Sequence, residues 1–348
     1  MHDVKSSRSS VRPPTVGDPP AERLLRYAEL PARVFRRLPL DRTLAVLPLG
    51  PLEVHGPHLP LGTDPLLATD IARRVMLRFL AAHPDRFALE LPACVLGADV
   101  IAHPGSVDYP DHLVRDVVVA TGESLARSGL WGLLVITFHG GPRHGNALEQ
   151  AVRTLRRRHP GFLALAPMGD LFGRIFVADP ALRTEWCRRL GWEDKDVERL
   201  LGDMHAGRLE TSAMLAAQPA GVHPDYATLP RERPDPPHWQ VRAVRLLELL
   251  GPLLGRKRMA SFVRDATVGL DMLSWARRPW LSYMGDPAKA DAATGEQFLD
   301  LLAAETAVVL EDIVSGRRRP EDLDPLAWTL RWILKVGNRF PWVGDAPA

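Results

Sequence analysis

Residues 53–64, Glu-Val-His-Gly-Pro-His-Leu-Pro-Leu-Gly-Thr-Asp, bring together two carboxylates, Glu53 and Asp64, and two imidazoles, His55 and His58. These side-chain types ligate divalent metals and carry protons. The two Pro and two Gly among them exclude an ordinary helix. Glu53 and His55 are two apart, so in an extended segment they point to the same side. Asp64 opens the next apolar-periodic stretch, where it can equally serve as an N-cap. Two more clusters share this character. In Val-Ile-Thr-Phe-His-Gly-Gly (135–141), His139 ends an apolar run before a Gly pair, either as a ligand or as a hydrogen-bonded structural residue. The segment 202–210 offers Asp203, His205 and Glu210, the last near a helix start where a carboxylate also suits the dipole. Three such Gly-flanked clusters, each entering or leaving a buried element, are hard to assign to separate structural causes.

The elements that must position them follow from the apolar pattern. Residues 43–50, 87–97, 129–138 and 161–168 read as buried strands. Helical spacing runs through 64–82, 111–129, 143–159, 210–217 and 294–316. Strands alternating with helices of this length predict βαβ units and a mostly parallel sheet covered on both faces, a single three-layer α/β/α domain. Ligands on such sheets collect at the carboxyl ends of the strands, which is where Glu53, His55 and His139 fall.

The chain of 348 residues is 46% hydrophobic and 25% charged, as expected of a globular protein. Its 44 Lys and Arg nearly match 42 Asp and Glu, so the net charge of +2 gives no sign of a nucleic-acid partner. The basic runs Arg156–Arg158 and Arg317–Arg319 read as solvated helix ends. Two cysteines, Cys94 and Cys187, are too few for a disulfide framework, and a reducing cytoplasm is the expected location. No signal peptide or membrane span is expected. Residues 1–22 read as a disordered tail and 23–316 as the folded domain, with insertions near 172–201, a lid or interface arm, and 219–260, a Pro-rich loop and helix. Residues 317–348, with Trp328, Trp332 and Trp342, read as a C-terminal extension.

In order along the chain, Leu-Pro-Leu-Gly-Pro-Leu-Glu-Val-His-Gly-Pro-His-Leu-Pro-Leu-Gly-Thr-Asp, His-Pro-Gly-Ser-Val, Phe-His-Gly-Gly, Asp-Met-His-Ala-Gly-Arg-Leu-Glu-Thr-Ser-Ala-Met-Leu-Ala and the segment 283–298 resemble the creatininase (creatinine amidohydrolase) family over roughly residues 40–316. The resemblance implies an α/β fold, a two-metal site and hydrolysis of an amide C–N bond. Carried over motif by motif, it places Glu53 and His139 on one metal and His55 on the other, with Asp64 bridging. Glu210 is then the carboxylate on the second metal or its water, His205 the proton carrier, and His58 and Asp203 supporting residues around the ligands. The implied ions are zinc first, with manganese or iron as alternatives, and mixed N/O ligands favour these over calcium. Two metals ~3.5–4 Å apart lower the pKa of a shared water and polarise the carbonyl. The family also implies a homo-oligomer, a hexamer.

The chain departs from the family around His139, reading Thr137-Phe138-His139-Gly140-Gly141-Pro142 where many relatives have Asn-Gly-His-Gly-Gly-Asn. Creatinine hydrolases carry a metal-binding Glu at the place of Gly141, which argues against creatinine as substrate and moves that role to Glu210. Asp99-Val100 and Arg208 also differ from the usual residues. The expected function is hydrolysis of a small or cyclic amide. A peptidase trimming a precursor peptide, and an inactive metal- or partner-binding homologue, are the alternatives.

Overall fold

The structure, a computed structural model, describes residues 14–192, 203, 205–232, 262–263, 266 and 282–332. In chain order its main elements are α1 (Pro20–Arg23), β1 (Leu24–Arg26), α2 (Ala32–Phe35), β2 (Thr43–Gly50), α3 (Thr63–Ala82), β3 (Phe87–Glu90) and β4 (Cys94–Val95). There follow α4 (Asp111–Arg127), β5 (Gly132–Ile136), α5 (Pro142–Arg158), β6 (Leu163–Leu165), α6 (Met168–Phe172), α7 (Pro180–Arg189), α8 (Arg208–Ala217) and α9 (Ala292–Val314). The strands form one sheet in the order β1-β3-β2-β5-β6, with β4 continuing beside the end of β2, and every pairing is parallel.

All eight residues of β2 are buried, because helices cover both sides of the sheet. Strand alternation divides them. Leu44 and Val46 join a core with α3, α6, α7, α8 and α9. Ala45, Leu47 and Leu49 join a second core with α4 and α5. Leu134 and Ile136 of β5 face the first core, Leu133 and Val135 the second. The expected three-layer α/β/α architecture is therefore present, and each fully buried Leu or Ile contributes ~1.5–3 kcal/mol to it. Where helices meet most closely, glycine makes the approach: a Cβ on Gly295 of α9 would stand 1.8 Å from the Ser212 carbonyl oxygen of α8.

The structure refines several expectations. The strand expected over 87–97 is two, because the chain leaves the ladder after Leu91, whose N still donates to the Val46 carbonyl at 2.9 Å, and Pro92 has no N–H to give it. The short edge strand β1 was not foreseen. Of the tail expected over 1–22, residues 1–13 lie outside the described residues, whereas 14–22 lead into an anchored segment. Arg23, buried there, donates to the carbonyls of Leu80 (2.6 Å) in the last turn of α3 and of His83 (2.8 Å) and Arg86 (2.7 Å) just beyond it. Residues 172–192 of the stretch read as a lid or arm pack inward: Trp186, Cys187, Leu190 and Trp192 belong to the first core. Residues 193–201 lie outside the described residues, as does the Pro-rich insertion over 233–260. Residues 317–332 lie against the domain through Leu323 and Leu326, and Trp328 receives the Arg153 guanidinium 4.8 Å over its ring. Trp342 is outside the described residues. Among the described residues no helix is long and apolar enough to cross a membrane.

Candidate metal centre

β2 and β5 are neighbours, and the chain leaves β2 toward β3 on one side while β5 and β6 lie on the other. The carboxyl ends of the central pair thus open the crevice at which ligands bind in such sheets. The loop after β2 is folded back on itself: Glu53 N donates to the Leu61 carbonyl at 2.9 Å and Val54 N to Ser106 Oγ at 3.0 Å. A Cβ on Gly50 would stand 2.8 Å from Asp64 Cβ, so glycine at the strand end lets the first turn of α3 close on it. Asp64 is not the N-cap of α3. That position is Gly62, no side chain caps the helix, and the Asp64 carboxylate turns instead into the crevice.

Six of the singled-out side chains meet there. On one side His139 Nδ1 lies 3.0 Å from Glu53 Oε2 and 3.4 Å from Asp64 Oδ2. On the other, His55 Nε2 lies 3.7 Å from both Asp64 Oδ1 and Glu210 Oε1. Each oxygen of Asp64 therefore faces a different set. Within Glu53–Asp64–His139, and likewise within His55–Asp64–Glu210, one donor atom per residue lies within 4.8 Å of the others. Glu53, His55 and His205 form a third such group, and the His205 ring stacks on His55 with centroids 4.2 Å apart.

The backbone sets which atom each residue offers. His139 Nε2 is 3.1 Å from the Ala98 carbonyl oxygen and donates to it, leaving Nδ1 for the carboxylates. His55 Nδ1 donates to the Glu53 carbonyl at 3.0 Å, leaving Nε2. His205 Nε2 donates to the Val54 carbonyl at 2.8 Å. Ile101 N holds Glu53 Oε1 at 2.6 Å, and Ala206 N holds Glu210 Oε2. Imidazoles whose second nitrogen is committed to a carbonyl are the usual form of metal-binding histidines.

A divalent cation fits this donor set. Glu53 Oε2 and Asp64 Oδ2 are buried and face the His139 ring with no hydroxyl or backbone N–H on them among the described residues, a costly state for a carboxylate oxygen unless a cation or a proton accompanies it. The electrostatics agree. Burial disfavours charge on His55, but Glu210, Asp64 and Glu53 outweigh it and raise its pKa. His139 is likewise opposed by burial and raised well above the ordinary value by Glu53 and Asp64. Burial pushes Asp64 up, yet His55 and His139 bring it down to about 2. Burial lifts Glu210 to about 7, helped by Asp64 and opposed by His55. The buried carboxylates thus raise the proton affinity of His55 and His139, and Glu210 is itself raised, the behaviour of a crevice that draws cations. His205 differs: burial and the charge of His55 hold it well below the ordinary histidine value, hence neutral.

The remaining expected residues stand outside this cluster. His58 Nε2 is 2.8 Å from Thr211 Oγ1 of α8, and burial and His55 push the ring down to about 4. It joins the first loop to the helix carrying Glu210. Asp203 accepts from Leu209 N at 3.2 Å and Asp286 N at 3.3 Å, and burial lifts it to about 6. Its partners are backbone amides, so it ties the His205 loop to the 282–286 segment. That segment also receives the loop directly, Met284 N donating to the His205 carbonyl at 2.7 Å.

Sequence reasoning missed Arg143 and His144 and had Asp99 only as a departure from the family pattern; Asp99 holds Arg143, and His144 lies against the His139 ring. Asp99 and Ala206 carry φ of 69° and 50°, strained values for non-glycine residues, and both border the site. Gly141, singled out for what it lacks, has no room for more: a Cβ there would stand 2.5 Å from His139 Nε2 and 3.0 Å from the Ala98 oxygen.

Comparison with known proteins bears on this geometry. The profile of the creatininase family, described as creatinine amidohydrolase, matches residues 28–310. The mycofactocin precursor peptide peptidase of Mycobacterium tuberculosis is 29% identical over 276 residues, 77% of this chain and 85% of its own. The protein of the same name from Mycolicibacterium smegmatis is 26% identical over 256 residues, 73% of this chain and 78% of its own. A solved structure of a manganese creatininase superposes with a TM-score of 0.52 at 21% identity, covering 83% of this chain and 98% of the other, a likeness of fold.

Proposed function

Since the chain belongs to the creatininase family of metal-dependent hydrolases, we propose that it cleaves an amide C–N bond at a paired divalent-metal site held by Glu53, His55, Asp64, His139 and Glu210. The observation that carries this reading is Asp64, whose two oxygens face two separate ligand sets. Glu53 and His139 would hold one ion and His55 and Glu210 the other, with Asp64 offering one oxygen to each side. When bound, zinc, or alternatively manganese or iron, supplies Lewis-acid polarisation of the amide carbonyl and a lowered water pKa.

The chain's own groups do the rest. Water adds to the carbonyl carbon and gives a proton to His205, which burial and His55 keep neutral beforehand and, once protonated, make a ready donor. With Nε2 committed to the Val54 carbonyl, Nδ1 is the atom that takes this proton. The same proton passes to the leaving nitrogen as the C–N bond breaks, giving a carboxylic acid and an amine. Asp203 and Met284 hold the His205 loop in place for this transfer.

Creatinine is not the expected substrate, because the space at Gly141 admits no side chain to act as a further ligand. The primary reading is a small or cyclic amide. The second reading, trimming of a precursor peptide, is favoured by the peptidase relatives that align with about three quarters of the chain. Both use the same site. By family likeness the enzyme works as a homo-oligomer, hexameric, and sedimentation as a 38.5 kDa monomer would refute that.

The test is to strip the protein of metal, reload it with zinc, manganese or iron(II), and assay cyclic amides, linear amides and short peptides. Turnover that needs metal and is lost in Asp64→Asn supports the proposal. Cleavage confined to peptides selects the second reading. Metal-loaded protein inert on every class makes the chain the inactive homologue.

A further inference from the structure

The back of the site holds a buried ion pair with no part in the steps above. Arg143, in the first turn of α5, donates from its backbone N to Asp99 Oδ2 at 3.0 Å and from Nε to Asp99 Oδ1 at 3.0 Å. Its NH2 group lies 3.9 Å from Asp108 Oδ2, and Asp108 Oδ1 accepts from Asp99 N at 2.8 Å. Both members of the pair are buried. An ion pair so placed sacrifices hydration on both sides, and such pairs are better explained by what they orient than by net stability.

What this pair orients is a single peptide group. Asp99 is one of three described non-glycine residues with positive φ, at 69°, a conformation that costs energy unless its surroundings fix it. The double grip of Arg143 on the Asp99 carboxylate supplies that fixation. The residue before it, Ala98, gives its carbonyl to His139 Nε2. Its amide is held from the other side, donating to His144 Nδ1 at 3.4 Å. With Nδ1 accepting, His144 Nε2 carries the hydrogen and donates to Thr137 Oγ1 at 3.2 Å, which in turn accepts from His139 N at 3.2 Å. The Ala98–Asp99 peptide is thus held at both ends, its carbonyl on the His139 ring and its N–H on Asp108 Oδ1, while Thr137 holds the His139 backbone N.

We infer that Asp99 and Arg143 are positioning residues: they hold the Ala98 carbonyl against His139 Nε2 and thereby commit His139 Nδ1 to the metal position it shares with Glu53 and Asp64. Among the described residues the hydrogen bonds and ion pairs of this clamp run to His139, His144 and Asp108, and the His55–Glu210 position lies on the far side of Asp64. The inference rests on the paired-site reading and gives it a sidedness, since the clamp serves one metal position of the two.

The experiment is calorimetric titration of metal-free protein with zinc chloride for the wild type, Arg143→Met and Asp99→Asn, with circular dichroism to follow the fold. Asparagine tolerates the left-handed conformation and keeps a carbonyl acceptor for Arg143, so it is the milder change. The wild type should show two binding events. In Arg143→Met one event should weaken by ~10–100-fold, the usual effect of losing an outer support of a ligand, and the other should stay at its wild-type affinity. Asp99→Asn should weaken the same event by less. In a His55→Ala background, where the Glu53–Asp64–His139 position is the intact one, the remaining event should be the one that Arg143→Met weakens. Equal weakening of both events, or weakening only in step with lost helical signal, would make the pair a general structural prop and overturn the inference. So would wild-type affinities in Arg143→Met. A wild type that binds fewer than two zinc ions would instead remove the paired-site reading itself, and the clamp with it.

Discussion

Replacing Asp64 by Asn keeps the shape of a side chain that is 1% exposed and removes one negative charge from the centre of the cluster. In the metal-free protein that charge is favoured by the fold. Burial pushes the Asp64 pKa up, His55 and His139 pull it down more strongly, and the result is a fall from 3.8 to about 2. A depression of that size corresponds to about 2 kcal/mol of stability, to order of magnitude, for this buried group. Because folding lowers the pKa, this stability is fully present above the unfolded value of 3.8 and disappears as pH falls through about 2. Urea denaturation of metal-free protein should therefore show Asp64→Asn to be less stable than the wild type by about 2 kcal/mol near neutral pH, with the gap closing toward pH 2. Part of the loss is offset, because Asp64 also repels Glu210, whose pKa it raises. In metal-loaded protein the consequence is larger: a neutral amide oxygen is a poor bridge, and the ion count should fall to at most one per chain with activity lost. If Asp64→Asn kept two ions and its turnover, and lost no stability at neutral pH, the central role given to this carboxylate would be wrong.

His205→Asn should keep near-normal metal content and lose at least ~10²-fold in turnover, most on amides with poor leaving groups, since a proton carrier acts on rate. Loss of metal in parallel, read by elemental analysis, would instead make His205 a ligand. Asp203 has a folded pKa raised to about 6, so its contribution to stability is complete below the unfolded value of 3.8 and lost as pH rises through 6. The wild type should accordingly lose stability between about pH 4 and 6 relative to Asp203→Asn, and parallel melting curves for the two proteins across that interval would contradict this. Gly295→Ala forces a Cβ to 1.8 Å from the Ser212 oxygen and should destabilise by at least ~1–3 kcal/mol in urea titrations, with unchanged stability sinking the close α8–α9 approach.

Much of the site could be read from the chain because its parts are chemically loud. Buried parallel strands leave continuous apolar runs, so β2 and β5 mark themselves, and residues just past their ends are where polar groups converge. Asp64 shows the limit. A helix-opening Asp suits a cap and a ligand alike, and only the closeness of Gly50, which turns the carboxylate into the crevice, separates them. Asp203 shows the converse: its spacing to His205 suggested work beside the ligands, but its oxygens are taken by backbone amides. The pairing of Arg143 with Asp99 was silent, although Asp99 stood out against the family pattern, because an ion pair between residues far apart in sequence has no local pattern. The segment 172–192 suggested a lid or an interface arm because it reads as helical where the strand–helix alternation should continue, yet Trp186 and Trp192 give it an inward face that decides its packing.

The His205 loop is closed by residues that come late in the chain. Ser282 accepts from Gly56 N at 2.6 Å, Met284 N reaches the His205 carbonyl at 2.7 Å, and Asp286 N reaches Asp203 at 3.3 Å. The cluster that starts at Glu53 is therefore assembled across more than two hundred residues of sequence, among the slowest contacts for a chain to make. A ribosome that has delivered both strands and the first histidines has still not delivered the segment that sets the last one. Capture of ions at this site accordingly belongs to the end of folding, after the sheet has formed and the chain beyond residue 286 has emerged, and a chain cut short before that point would carry the opening motif without the means to complete it.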